Sequence, residues 1–69
     1  MKLSARNMIK SRITIINAGS VNTEVVMETS GGEVIVAIIT KESAENLDLK
    51  VGKQVYAVIK ASNVMVAVD

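Results

Sequence analysis

Neither cysteine nor histidine occurs among the 69 residues of this chain. Without cysteine there is no disulfide, and without either residue a zinc site built on thiolate or imidazole is excluded. The chain also has no glycine-rich phosphate loop and no carboxylate pair at a spacing that suggests acid and base roles, so neither an enzyme nor a catalytic cofactor is expected. A chain of this length buries a modest fraction of its surface. Oligomerisation is the usual remaining source of stability.

Aromatic side chains and net charge are also scarce. Tyr56 is the only aromatic residue, and eight Lys and Arg against seven Asp and Glu leave a formal charge of +1. Single-stranded nucleic acid needs stacking aromatics and a basic groove, and a membrane surface needs a polybasic patch, so neither partner is expected. No apolar run approaches transmembrane length, and no apolar core follows the N-terminal cations as in a signal peptide. We therefore expect a soluble, cytoplasmic protein.

Apolar side chains, in contrast, make up 49% of the residues. Residues 34–39 are apolar at every position, and a strand that is apolar on both faces needs cover on both sides. A monomer this small has too little interior to provide that cover. The composition therefore predicts that a second subunit covers part of the sheet.

The spacing of the apolar residues predicts strands joined by polar turns, with one short helix. The helix falls between Thr40 and Leu49, with Thr40 as N-cap and Ala44, Leu47 and Leu49 facing the core. Met8 and Ile9 belong either to a short strand or to an arm. The predicted strands are residues 13–16, 21–29, 34–39, 54–60 and 64–68. This order predicts an all-β fold with one short helix, a five-stranded OB-like barrel, in a single domain over residues 1–69.

The second predicted strand alternates, with Val21, Thr23, Val25, Met27 and Thr29 on one side and mostly polar residues on the other. The first side is expected to face the core and the second to face water. Turn clusters bound this strand at both ends, and the glycines of the second cluster have the freedom that a hairpin requires. These clusters are Asn17-Ala18-Gly19-Ser20 and Ser30-Gly31-Gly32-Glu33.

The short polar stretch Lys60-Ala61-Ser62-Asn63 lies between the last two predicted strands and is expected to form a hairpin corner. It carries an ammonium, a hydroxyl and an amide, which mostly donate hydrogen bonds. Backbone N–H groups at a turn can add to such a set and form a concavity that binds an anion. The corner therefore indicates an oxyanion site, and the alternative is an ordinary solvated hairpin.

Three stretches together resemble the molbindin (Mop) family over essentially the whole chain: Ser4-Ala5-Arg6-Asn7, Thr40-Lys41-Glu42-Ser43 and Lys60-Ala61-Ser62-Asn63-Val64. The resemblance implies a small cytoplasmic protein that binds molybdate or tungstate. It also implies an OB-like barrel and a hexamer, arranged as a trimer of dimers, with anions held between subunits. Because no ATPase or helix-turn-helix part accompanies the domain, the free-standing storage form is expected.

The resemblance also implies which residues bind the ion. Molybdate is a tetrahedral dianion whose oxygens are all acceptors, so a selective pocket offers donors: the fork of Arg6, the point charge of Lys60, hydroxyls and backbone N–H groups. Ser4 and Arg6 are expected from one subunit and the rest from its neighbour. The complete interface set is Ser4, Ala5, Arg6, Thr40, Ser43, Lys60, Ala61 and Ser62.

A second class of site in that family lies near the threefold axis, and Gly19, Ser20, Val21 and Asn22 are its candidates here. They offer close backbone approach and a hydroxyl, but no cation. The alternative is a common β-turn.

Other interpretations of the interface residues stay open. Glu42 and Glu45 are expected to point away from an anion, but Arg6 could instead pair with one of them, and Thr40 and Ser43 could simply cap the helix. The competing functions are a structural oligomer that binds oxyanions in general and, less favoured, an OB module for single-stranded nucleic acid. Pocket size must separate molybdate from sulfate, and sequence does not report it.

Overall fold

A computed structural model describes residues 4–69 of the chain. The described part contains four strands, one α-helix and one short 3-10 turn. In chain order these are β1 (Asn7–Ala18), β2 (Asn22–Thr29), β3 (Val34–Thr40), α1 (Lys41–Asn46), β4 (Gln54–Ile59) and the 3-10 turn (Ala61–Asn63). Residues 1–3 of the expected domain lie outside the described residues.

The strands form one antiparallel sheet in the order β3-β2-β1-β4. β1 is the longest at 12 residues and lies in the middle of the sheet, where it pairs with both β2 and β4. The register between β1 and β2 shifts between Ile13 and Ile15, and such a bulge bends a strand and increases its twist. β3 and β4 are the two edges of the sheet within residues 4–69.

The core is small and lies on one face of the sheet. Its buried apolar members are Ile13, Val25, Met27 and Ala57. The predicted alternation of the second strand is confirmed at its centre, because Thr23 is buried together with Val25 and Met27. Partly buried apolar residues complete this layer: Ile16, Ile35, Ala37, Ile39, Leu49 and Val55.

The hairpin between β2 and β3 forms where the glycines predicted it. Gly32 has φ +90° and its N–H donates to the Thr29 carbonyl at 3.0 Å. That backbone region is readily accessible to glycine because it has no Cβ. The predicted glycine turn is therefore confirmed.

α1 begins and ends with recognisable caps. The N-cap is Thr40, as predicted, and its side-chain oxygen accepts from the Ser43 N–H. At the other end Asp48 has φ +52°, and the Leu49 N–H donates to the Ala44 carbonyl at 3.2 Å, which is the bonding pattern of a Schellman motif. The Lys53 ammonium donates to the carbonyls of Leu47 and Asp48 at 2.9 and 3.1 Å.

Several predicted elements are wrong in detail. Leu47 does not face the core, because the helix ends one residue earlier and the side chain is 60% exposed. Val21 precedes β2 and is also exposed. The segment expected as a strand at residues 13–16 is part of the longer β1. This strand also includes Met8 and Ile9, which therefore belong to a strand and not to an arm.

The predicted fifth strand is the largest correction. Residues 64–68 form no strand within the described part of the chain, which has four strands rather than five. Lys60-Ala61-Ser62-Asn63 is not a hairpin corner, because residues 61–63 make a 3-10 turn. A strand exists only with a paired neighbour, and here none pairs with the segment. Met65, Val66 and Val68 are 93%, 91% and 92% exposed.

The outer face of β3 is also apolar and uncovered. Val34, Val36 and Ile38 are all exposed, although the alternate residues of the same strand face the core. No helix within residues 4–69 is both long enough and apolar enough to cross a membrane.

Candidate functional site

The first group of predicted residues gathers where β1 begins and β4 ends. The last pair of that ladder is Asn7 with Ile59, and the Asn7 amide donates to the Ile59 carbonyl at 3.1 Å. Arg6 and Lys60 each lie one residue beyond this pair, so one chain brings them side by side. We call the group the strand-end cluster; its members are Ser4, Ala5, Arg6, Lys60, Ala61 and Ser62.

The 3-10 turn gives the strand-end cluster backbone donors. Within the turn, the N–H of Asn63 donates to the Lys60 carbonyl and that of Val64 to the Ala61 carbonyl, at 2.8 and 3.3 Å. The N–H groups of Ala61 and Ser62 have no backbone acceptor within residues 4–69. The first N–H groups of a helical turn are the ones left available to a ligand.

The second group, the helix-entry pair of Thr40 and Ser43, lies where β3 meets α1. The Thr40 hydroxyl accepts from the Ser43 N–H at 3.0 Å and donates to the Ser43 hydroxyl oxygen at 2.8 Å. The Thr40 oxygen therefore caps the helix, and the two hydroxyls share one hydrogen bond, which leaves one hydroxyl proton of the pair available to a ligand. Both residues are exposed.

The two groups lie at opposite ends of the sheet. β1 runs from Asn7, beside the strand-end cluster, to Ala18, which pairs with Thr23 on β2. Thr40 pairs with Asn22 at that same far end. The 12 residues of β1, roughly 35 Å of extended chain, therefore lie between the two groups.

This arrangement changes the expected division between subunits. Lys60, Ala61 and Ser62 lie with Arg6 of their own chain, and not with Thr40 and Ser43. If all of these residues meet at one ion, the strand-end cluster comes from one chain and the helix-entry pair from another.

The turn between β1 and β2 lies beside the helix-entry pair. The Gly19 N–H donates to the Asn22 carbonyl at 2.8 Å, and the Lys41 N–H donates to the Val21 carbonyl at 2.8 Å. The N–H groups of Ser20 and Val21 have no backbone acceptor within the described part of the chain. A Cβ at Gly19 would lie 2.8 Å from the Asn22 carbonyl oxygen, so this turn requires glycine.

Charge is poorly compensated in these groups. Among residues 4–69 the one ion pair joins Lys50 to Asp48 at 3.8 Å, so Arg6 does not pair with Glu42 or Glu45 of its own chain. The described residues also contain no group of three or more His, Cys, Asp or Glu side chains that could hold a metal ion. The strand-end cluster offers two cations and no carboxylate, which suits an anion.

Two residues with a role in this geometry were missed by sequence reasoning. Asn7 fastens the start of β1 to the end of β4 and so holds Arg6 beside Lys60; its place in the Ser-Ala-Arg-Asn stretch was the available signal. Lys41 bonds through its backbone N–H to the carbonyl of Val21, which ties the start of α1 to the turn of Gly19 to Asn22. No sequence pattern joined Lys41 to a turn twenty residues earlier.

Comparisons with known proteins identify the family and the fold. The TOBE domain matches residues 3–66. A probable molybdenum-pterin-binding protein of Haemophilus influenzae is 44% identical over 69 residues, 100% of both chains. MopII from Clostridium pasteurianum has a solved structure with TM-score 0.92 at 39% identity, covering 97% of this chain and 100% of that one.

A second solved structure is that of the cytoplasmic molybdate-binding protein ModG with molybdate bound. It gives TM-score 0.90 at 45% identity and covers 94% of this chain, which spans 46% of that one. Together these similarities confirm the all-β fold with one short helix and the resemblance to Mop proteins.

Proposed function

This chain belongs to the TOBE domain family and to its Mop members, and we propose that it binds molybdate, and tungstate as its close analogue, without catalysing a reaction. Residues 1–69 act as one binding domain of a homo-oligomer, a hexamer built as a trimer of dimers. The oligomer stores the oxyanion or buffers its concentration in the cytoplasm. Molybdate binding is supported by the names of the similar proteins, one of which is described with molybdate bound.

The observation that carries the site proposal is the separation of two donor groups on one chain. The strand-end cluster provides the Arg6 fork, the Lys60 ammonium and the N–H groups of Ala61 and Ser62. The helix-entry pair provides one hydroxyl proton. Each group offers donors from one side only, so a tetrahedral acceptor is surrounded when two chains bring their opposite ends together.

The chemistry of the ion fits these donors. All four oxygens of molybdate accept hydrogen bonds, and hydrogen bonds between ionised partners are about twice as strong as neutral ones. The strand-end cluster has no carboxylate that would repel the dianion. Glu42 and Glu45 are exposed on α1, and the proposal requires both to point away from the ion.

Unpaired surfaces support the assembly. The outer edges of β3 and β4 have no partner strand within residues 4–69, and exposed edges readily accept another strand. Residues 64–68 are an apolar and exposed segment without assigned secondary structure. We propose that this segment pairs with a sheet edge of a second copy, which would form the fifth strand of the barrel between chains.

A complementation experiment tests whether the site spans chains. Arg6→Ala removes a cation from the strand-end cluster, and Ser43→Asp places a charge that repels the dianion while favouring the start of a helix. Each variant alone should lose molybdate binding by titration calorimetry.

Coexpression of the two variants, followed by purification of mixed oligomers through two affinity tags, should restore binding. If two chains build each site and mix at random, about a quarter of the sites receive both wild-type contributions. If the mixed oligomers bind no molybdate, the site is not shared between two chains. Competition by sulfate equal to that by molybdate would instead indicate a general oxyanion binder.

A further inference from the structure

A separate groove of about 480 Å³ opens along the strands, where β1 lies between β2 and β4. Its lining includes two cations, Lys10 and Arg12, the carboxylate of Glu28 and the amide of Gln54. None of these residues belongs to the strand-end cluster or the helix-entry pair. Arg12 lies six residues beyond Arg6, which is about 20 Å of extended chain.

The register brings these side chains together on one face of the sheet. Arg12 is directly opposite Glu28 on β2 and directly opposite Gln54 on β4. Lys10 shares that face, because alternate residues of a strand point the same way. Three neighbouring strands thus project one polar cluster.

The cluster is not satisfied by its own members. Arg12 on β1 and Glu28 on the neighbouring β2 lie opposite each other but make no ion pair. The one ion pair within the described residues joins Lys50 to Asp48. The side chains of Lys10, Arg12 and Gln54 make no hydrogen bond within residues 4–69. All four side chains of the cluster are exposed, so their polar groups face solvent and are accessible to a ligand.

The composition of the groove restricts what it could hold. A guanidinium and an ammonium together match a phosphate group. An ionised carboxylate only accepts hydrogen bonds, so Glu28 repels a bare oxyanion and favours a ligand that also carries a donor. The volume lies in the range of pockets that bind small organic molecules and leaves room for much more than one tetrahedral ion.

We propose that this groove binds a hydroxyl-bearing organic phosphate, such as a sugar phosphate. Arg12 and Lys10 hold the phosphate group, Glu28 accepts from a ligand hydroxyl, and Gln54 bonds to the ligand between them. This goes beyond the proposed binding of molybdate and uses different residues.

Ribose 5-phosphate is a suitable probe, with sulfate as the reference anion because it carries no hydrogen-bond donor, and titration calorimetry at low ionic strength is the assay. The wild-type oligomer should bind ribose 5-phosphate more tightly than sulfate. Arg12→Gln should weaken that binding at least about tenfold, because it removes charge-assisted hydrogen bonds. The matched control Lys50→Gln removes the same charge from an exposed turn and should change it less than about twofold.

Glu28→Gln tests the role of the carboxylate. It should bring the affinities for sulfate and ribose 5-phosphate closer together, because the carboxylate that repels a donor-free anion is removed. Arg12→Gln should leave molybdate affinity unchanged, which separates this site from the interface site. The proposal is overturned if ribose 5-phosphate shows no saturable binding, if sulfate binds equally well, or if Lys50→Gln weakens binding as much as Arg12→Gln.

Discussion

Replacing Met65 and Val66 with serine should weaken the assembly of this protein strongly without unfolding its chains. Both side chains are more than nine-tenths exposed in the single chain, so neither contributes to the core of its own subunit. Burial of one such side chain stabilises by about 1.5–3 kcal/mol. If a second copy covers both, the double variant loses roughly 3–6 kcal/mol per contact, which raises the dissociation constant by roughly 10² to 10⁴.

Sedimentation velocity over a range of protein concentrations measures this change directly. Wild type should stay assembled at dilutions where the double variant separates into smaller species, while circular dichroism of the two proteins stays alike. Val51→Ser is the matched control, because Val51 is an exposed apolar residue in the turn before β4.

Molybdate binding should follow assembly in the same experiment. The variant should bind poorly when dilute and recover at high protein concentration, because a ligand held between chains stabilises their association. The reasoning is refuted if the double variant and wild type dissociate at the same concentration. It is equally refuted if Val51→Ser separates the subunits as much as the double variant does.

Two further predictions concern the turns. Asp48→Gly should stabilise the fold by about 0.5–1 kcal/mol in urea unfolding. Asp48 has φ +52° just after α1, a conformation that favours glycine. The exposed ion pair of Asp48 with Lys50 contributes little, so its loss should cost little stability. A lower unfolding midpoint than wild type would contradict this. Gly19→Ala should destabilise by about 1–3 kcal/mol in the same assay, because its Cβ would lie 2.8 Å from the Asn22 carbonyl oxygen; an unchanged midpoint would show that the turn relaxes freely.

Local patterns in the sequence were enough to predict several elements. The alternation through Thr23, Val25 and Met27 marked the buried face of β2, because a strand's side chains change face at every residue. The glycine pair marked the hairpin before β3, and Thr40 marked the start of α1. These signals depend on neighbouring residues only, so no knowledge of the rest of the chain was needed.

The end of the chain was mispredicted for a related reason. Residues 64–68 have the composition of a strand, but a strand also requires a partner at hydrogen-bonding distance. Within the described chain no edge pairs with this segment. The composition of this segment predicted a tendency to form a strand, but it could not predict which strand, if any, would pair with it.

The sequence by itself determined the types of groups available here: donors without histidine or cysteine, apolar strands in excess of one small core, and the stretches that resemble Mop proteins. Only the tertiary structure decided their arrangement. Pairing of β1 with β4 places Arg6 beside Lys60, and the length of β1 carries Thr40 and Ser43 to the other end. Strand register depends on contacts between residues far apart in sequence, so which donors share one chain's end was decided by the fold.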